Sequence, residues 1–197
     1  MLVLASQSAS RRTMLTAAGV PFEALSPGVD EEAAKAGLKN EGIKGRALAD
    51  ALAELKALKL SGRRVGDLVL GCDQVLVRAD GSMLDKAQSR EEAHQQLQSL
   101  RGTTHKLISA AVIAENGAPV WRHIDSARMT MRSLSGAFLD SYLDEEWPAI
   151  GGCVGCYRIE GRGAQLFSRI EGSQFTIMGL PLLPLLDYLR VRGILAS

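Results

Sequence analysis

The sequence predicts an α/β protein whose central sheet is mixed and flanked by helices. Two observations carry that prediction. Short uninterrupted apolar runs alternate along the chain with segments whose apolar residues recur every three or four positions. An Asn116-Gly117 pair also separates two long strand-like segments, a hairpin signal that excludes a purely parallel sheet. The chain of 197 residues shows no repeat, low-complexity tract or linker, so we read residues 1–197 as a single domain with two lobes around a cleft.

Leu2 to Ala5 is a fully apolar run expected to form a buried strand. Ser6 to Ser10 is small and polar, and a helix follows it, with Ser8 as N-cap, Met14, Leu15 and Ala18 on one face, and Gly19 as the stop. Residues 21 to 44 carry no clear period and are read as mixed. A strong helix is predicted from about Arg46 to Leu60 on the stripe Leu48, Ala51, Leu52, Leu55 and Leu58. Asp67 to Val77 reads as a continuous apolar strand with Asp73 and Gln74 in its middle. Ser89 and Glu92 form a capping box for a helix ending near Leu100, with Gly102 beyond it. Strands at 106–114 and 118–131 follow, then a helix from Ser135 to Glu145 and a glycine-rich irregular stretch over 151–163. Pro181 opens a last helix that runs to about Arg192 and stops at Gly193.

A chain of this size buries roughly 70% of the surface its unfolded form exposes and needs no covalent staples. Its 23 basic and 22 acidic residues leave no basic stripe, which argues against nucleic acid as a partner. A small anion remains compatible, because one phosphate site needs only a few local cations. Three cysteines cannot complete a disulfide framework, and reduced cytosol is the expected environment. The opening apolar run has no basic segment ahead of it, unlike a secretory signal, and the stretch Gly179 to Leu186 is too short to span a bilayer. A soluble, cytoplasmic protein with no membrane contact is expected.

Asp73 is the strongest single indication of chemistry. A carboxylate within an apolar strand costs several kcal/mol of desolvation unless it is paired or binds a metal. The plainer reading is a charge met by backbone donors or a nearby lysine. Ser6, Ser8 and Arg11 form a second group: a serine loop at a helix N-terminus directs N–H groups and a positive dipole end at an anion, and an Arg fork grips phosphate oxygens. An ordinary capped helix with solvated Arg11 and Arg12 is the plain alternative. Lys56 sits about 40° beyond Leu52 around its helix, a flank position usually solvated. Lys86 has the look of a surface-loop residue. Asp30, Glu31 and Glu32 could hold a divalent cation through carboxylate oxygens, although such a run is by default a solvated loop.

Cys153 and Cys156 have redox or zinc spacing, but two cysteines do not complete a zinc site. His94, His105 and His123 are scattered, so two small buried thiols are the simpler expectation. No Walker A string and no Gly-x-Gly-x-x-Gly occurs, and no nucleophile beside a histidine suggests triad chemistry.

The order of these elements is more specific than any one of them. The segment from Leu4 through Arg12, Leu15 and Gly19 to Phe22 resembles the opening of the Maf family, L-A-S-x-S-P-R-R-x-x-L followed by Gly and Phe. Val29-Asp30-Glu31 resembles its V-D-E element, Ala53 to Ala57 its A-x-x-K-A helix, Gly71 to Val75 its G-x-D-[TQ]-V strand, and Asp85-Lys86-Ala87 its G-K-P. Glu92 through His105, Gly155 through Gly161, and Gly172 through Pro181 resemble the remaining motifs, so the likeness covers nearly the whole chain. Ala9 for Pro, Asp85 for Gly and Ala87 for Pro depart from the pattern but spare its charged residues.

The resemblance implies a two-lobed α/β fold shared with the inosine triphosphatase family. It also implies cleavage of a nucleoside triphosphate to monophosphate and pyrophosphate. It casts Asp73 as the catalytic acid residue assisted by Lys56 and Lys86, and Ser6 and Arg11 as phosphate contacts. It implies a divalent cation, Mg²⁺ or Mn²⁺, held by Glu31 and Asp73, and a possible homodimer. Base choice in the family tracks the positions held here by Ser10, Gln74 and Glu160. The thymidine/uridine branch has Arg, Thr and Gln there, and the 7-methyl-GTP branch an aromatic residue, Gln and Glu. This chain shares two of the latter three, which leans its base choice toward 7-methyl-GTP; Ser10 fits neither branch. The alternatives are the dTTP/UTP activity of the same family, or a nucleotide-binding regulator of septum formation without turnover.

Overall fold

The computed structural model describes residues 1–196. The chain runs β1 (Leu2–Ala5), α1 (Ala9–Ala17), β2 (Phe22–Leu25), α2 (Glu31–Asn40), α3 (Gly45–Ser61), β3 (Leu68–Val77), β4 (Met83–Leu84), α4 (Arg90–Leu100), β5 (Thr104–Glu115), β6 (Ala118–Met131) and α5 (Gly136–Glu146). A 3₁₀ turn (Arg162–Leu166), β7 (Phe167–Glu171), α6 (Gln174–Ile177) and α7 (Leu182–Val191) complete it. The strands form one sheet in the order β2-β1-β3-β5-β6-β7, with β4 also paired to β3. Only β2, β1 and β3 are mutually parallel; the remaining pairs are antiparallel. The expected mixed sheet is therefore present. The hairpin turn sits where expected, with both Asn116 and Gly117 at positive φ.

Two of the apolar clusters lie at opposite ends of the sheet. One gathers β1, α1 and α7 around Leu2, Leu4, Leu15 and Leu185. The other gathers α4, α5 and the far ends of β5 and β6 around Leu97, Leu107, Met129 and Leu143. One sheet runs through both clusters.

The register of β3 explains where they part. Strand β1 pairs with Leu68 to Gly71 and then ends, whereas β4 pairs with the same edge only from Leu76. Between them, Cys72 to Val75 have no strand neighbour on that side, although β5 continues on the other. A strand that outruns its partner leaves an opening at the carboxyl end of β1, where ligands of open α/β sheets collect.

Helix α3 lies across β3 on a stripe of small residues. Ala49, Ala53 and Ala57 recur at four-residue spacing and are fully buried, and they meet β3 at Gly71. A Cβ at residue 71 would collide with the Ala53 carbonyl oxygen and lie 2.6 Å from the Ala57 nitrogen. The close approach is thus a property of both partners, small on the helix and absent on the strand.

The sequence reading differs from the fold in three places. Residues 21 to 44 contain a strand and a helix rather than mixed structure. Helix α2 has no fully buried residue, so it lacks the apolar stripe that periodicity detects. Strand β7 and the single-turn α6 were likewise not anticipated; both are short, and most of β7 is exposed. The capping box at α4 is half formed: Ser89 Oγ accepts from Glu92 N (3.1 Å), but the Glu92 carboxylate accepts from Gln88 N (2.8 Å) instead of Ser89 N.

Gly71→Ala forces α3 off the sheet at backbone level. We expect it to lower unfolding stability by about 1–3 kcal/mol, measured as a shift of the urea midpoint at constant slope.

Candidate functional site

The opening on β3 belongs to a cleft of about 1230 Å³. It is lined by the loop after β1, the start of α1, α2, residues 85–88 and the 152–160 segment. The residues singled out as Ser6, Ser8, Ser10, Arg11, Glu31, Lys56, Asp73, Gln74, Lys86 and Glu160 all line it.

At its centre Asp73 is 8% exposed and Lys56 3%. Lys56 is not the solvated flank residue that its helical position suggested. Because the alanine stripe presses α3 onto Gly71, the residue before Ala57 is carried to the unpaired stretch of β3. There the ammonium donates to Asp73 Oδ1 at 2.8 Å and to the Cys72 carbonyl at 3.5 Å. It also pairs with Glu31 Oε1 at 2.9 Å. A buried ammonium keeps its charge only where anions and hydrogen bonds replace water. Burial pushes the Glu31 carboxyl up, but the charge and hydrogen bond of Lys56, with Lys86 and Arg11 behind it, outweigh this and hold it below the ordinary range.

Glu31 is positioned by the start of α2. Asp30 is the N-cap, its Oδ1 accepting from Ala33 N at 3.0 Å, and Glu31 and Glu32 occupy the first turn, where carboxylates suit the helix dipole. The acidic cluster is therefore a helix start and not a solvated loop, and only Glu31 reaches the central lysine.

The phosphate side is tied down more tightly than expected. Ser8 Oγ caps α1 by accepting from Arg11 N (3.4 Å), and Ser6 Oγ accepts from Ser8 N (3.2 Å) and Arg11 Nη1 (3.1 Å). Arg11 Nε donates to the Gly179 carbonyl at 2.8 Å. Nε and one Nη1 hydrogen of Arg11 are thereby used by the scaffold, leaving Nη2 and the other Nη1 hydrogen for an anion. Ser6 keeps its hydroxyl proton as a donor.

Gln74 is also committed. Its Nε2 donates to Ser109 Oγ (3.0 Å) and to the carbonyls of Thr176 (3.0 Å) and Ile177 (2.9 Å). Thr176 is held further by Ser109 Oγ on its carbonyl and by Asp125 on its hydroxyl. Two carbonyl acceptors fix the orientation of the amide. Oε1 is then the one polar atom of Gln74 left for a ligand, and it can only accept. Lys86 is exposed, and Ser10 and Glu160 line the same cleft.

Sequence reasoning missed several lining residues. Lys35 and Lys39 project from α2 into the cleft and pair with Asp85. Asp30 followed by first-turn acids, with Lys39 in the last turn, is a helix signature that could have found them. Tyr157 and Arg158 also line the cleft, and Arg158 is held by Glu146 at 2.8 Å. Behind Tyr157, His105 is 1% exposed and its Nε2 lies 2.7 Å from the Tyr157 hydroxyl.

Cys156 is buried as expected, whereas Cys153 is only partly buried and lines the cleft. Burial pushes Cys156 up to about 12 and raises Cys153, and neither is in a disulfide. His94 and His123 lie apart from the site, His94 beside Asp140 and His123 stacked on Trp121.

Lys, Arg and carboxylate groups converge beside a serine-capped helix in an α/β cleft, an arrangement suited in charge and donors to a phosphorylated ligand. The chain belongs to the Maf-like protein family, which it matches over residues 1–192. It is 54% identical over 194 residues to a nucleoside triphosphate pyrophosphatase of Caulobacter vibrioides, covering 98% of this chain and 96% of that one. It is 49% identical over 193 residues to a protein of the same name from Sphingopyxis alaskensis, covering 98% of each. A HAM1 protein from Coxiella burnetii aligns over 68% of this chain and 73% of its own, with a TM-score of 0.43 and 13% identity.

Burial pushes the His105 pKa down to about 4. The folded chain thus keeps this ring neutral where an unfolded chain, near 6.5, takes up a proton. Stability from the neutral ring is complete above pH 6.5 and is lost as the pH falls toward 4, at about 1.4 kcal/mol per pH unit. His105→Gln should flatten that part of the acid profile, read from urea midpoints at pH 7.0 and 5.0.

Proposed function

We propose that this chain hydrolyses a nucleoside triphosphate to the monophosphate and pyrophosphate, with a preference for a guanine nucleotide such as 7-methyl-GTP. The observation that carries the reading is the buried Lys56 ammonium, held between Asp73 and Glu31 at the floor of a cleft whose rim holds Arg11, Ser6 and Lys86. Water attacks the α-phosphorus, the bond from that phosphorus to the bridging oxygen breaks, and pyrophosphate leaves. Charge on the three phosphates must be neutralised and one water aligned. Arg11, through its free Nη end, and the Ser6 hydroxyl hold phosphate oxygens beside the N-terminus of α1. Lys86 approaches from the opposite rim. Asp73 Oδ1 is taken by Lys56, which leaves Oδ2 to orient the water and accept its proton.

Glu31 and Asp73 suit a divalent cation. Each gives one oxygen to Lys56 and keeps a second, Glu31 Oε2 and Asp73 Oδ2, that would hold the ion; Mg²⁺ is ordinarily held by one or two carboxylates with the remaining positions filled by water and substrate phosphate. Among the described residues no group of three or more His, Cys, Asp or Glu side chains could hold a metal unaided, as fits a site that substrate completes. When bound, such a cation supplies neutralisation of the phosphate oxygens.

At the base end, Gln74 Oε1 and the Glu160 carboxylate offer acceptors without donors. Guanine presents N–H donors to such a pair, and a methylated, cationic ring is further favoured by the Glu160 charge. A thymine or uracil edge needs a donor as well as an acceptor. Work in the cytoplasm on a nucleotide pool, as a homodimer, agrees with this reading. Among the described residues no helix is long and apolar enough to cross a membrane. The septum-regulator reading without turnover predicts nucleotide binding alone.

Pyrophosphate release across canonical and methylated nucleotides, with Mg²⁺ or Mn²⁺, tests the proposal. Asp73→Asn should lose at least ~10²-fold in kcat while still binding nucleotide; full turnover in that variant removes Asp73 from the chemistry. Glu160→Gln should move the ratio of kcat/KM values away from guanine nucleotides, and an unaltered ratio rejects the base assignment.

A further inference from the structure

Lys35 and Lys39 stand one turn apart on the cleft side of α2, and both ammonium groups bond one carboxylate, that of Asp85, which also lines the cleft. Lys39 lies 3.0 Å from Asp85 Oδ2, and Lys35 meets Oδ1. Burial pushes the Asp85 carboxyl up, but its hydrogen bonds to Lys35 and Lys39 more than offset this and hold it below the ordinary range. The arrangement places two positive charges on one negative, directly beside Lys86. It also ties a helix with no fully buried residue, resting on α3 through the partly buried Ala34 and Leu38, to the segment that follows β4.

The strength of this tie is limited. The Asp85 side chain is 53% exposed and those of the lysines 20% and 30%. Water therefore screens the pairs, and exposed ion pairs hold weakly. A polyphosphate tail carries several charges where Asp85 carries one, and it presents oxygens that two ammonium groups can share. It would outcompete Asp85 for both lysines.

We propose that Lys35 and Lys39 bind the terminal phosphates of the substrate, and that Asp85 is the internal anion they leave when the substrate enters. The assignment rests on the triphosphate reading above and adds the way the tail is measured. Arg11, Ser6 and Lys56 surround the reacting end of the triphosphate. The α2 lysines lie one and two turns beyond Glu31, about 6 and 12 Å along the helix, a span that suits the longer triphosphate tail. They thereby favour triphosphate over diphosphate. Asp85, by occupying the same ammonium groups, holds α2 over an empty cleft and opposes weak anions.

The sign of the effect at Asp85 separates this from a purely structural latch. A competitor anion, once neutralised, lets substrate bind more tightly; a prop, once removed, makes it bind more weakly. The measurement is calorimetric titration of the full chain with a nucleoside triphosphate bearing a non-hydrolysable α,β-imido link, and with the matching diphosphate. It is paired with steady-state pyrophosphate release. Lys35→Met combined with Lys39→Met should weaken triphosphate binding at least tenfold and the diphosphate by less than half of that on a logarithmic scale, with most of the loss in kcat/KM falling in KM. Lys35→Arg with Lys39→Arg should restore most of the affinity. Asp85→Asn should tighten triphosphate binding three- to tenfold. Unchanged triphosphate affinity in the double Met variant overturns the proposal. So does weaker binding in Asp85→Asn. If the wild-type chain releases no pyrophosphate from any triphosphate, the proposed activity fails, while the titrations still decide whether these lysines read the tail.

Discussion

A lysine ammonium with 3% of its surface exposed is costly to bury unless fixed anions stand in for water, and the architecture around Lys56 follows from that requirement. Asp73 supplies one anion because β3 continues past the end of β1, leaving a carboxylate inside a strand without a neighbouring strand on one side. Glu31 supplies the other from the first turn of a helix in a different part of the chain. The Cys72 carbonyl, freed by the same break in pairing, takes a third contact. None of these meets the ammonium unless α3 lies directly on β3, and that closeness is set by Gly71 against Ala53 and Ala57. Fold and site are joined through a missing Cβ.

The legibility of the sequence followed the same physics. Asp73 stood out because a charge among Leu, Val and Cys is costly and therefore rarely accidental. Strand β3, the β5–β6 hairpin and helices α3 and α4 were visible because burial on one face imposes a period, and because Asn-Gly and Ser-x-x-Glu have local conformational preferences. Lys56 was misjudged because periodicity ranks positions by direction around a helix and is blind to how closely that helix approaches its neighbour. Helix α2 was hidden because it has little to bury. Its informative residues are the polar ones, Asp30 at the cap and Lys35 and Lys39 facing the cleft, and these look like a loop when read by hydropathy. The commitment of Gln74 Nε2 to Thr176 and Ile177 spans 102 and 103 residues of chain, and no local pattern reports it.

Overall charge gave no hint of an anion site, and the cleft shows why. Arg11, Lys35, Lys39, Lys56, Lys86 and Arg158 share its walls with Asp30, Glu31, Glu32, Asp73, Asp85 and Glu160. Basic and acidic groups are matched there as they are in the whole chain. What differs is their arrangement: Glu31 and Asp73 meet Lys56, Asp85 meets the α2 lysines, and Arg11 lies in the first turn of the capped helix α1.

The bond from Arg11 to the Gly179 carbonyl bridges 168 residues. It joins the first helix to the turn that precedes the last one. During synthesis the serine loop and α1 leave the ribosome long before the carbonyl that orients the arginine, which follows 168 residues later. Nascent chains thus carry the loop without its finished geometry.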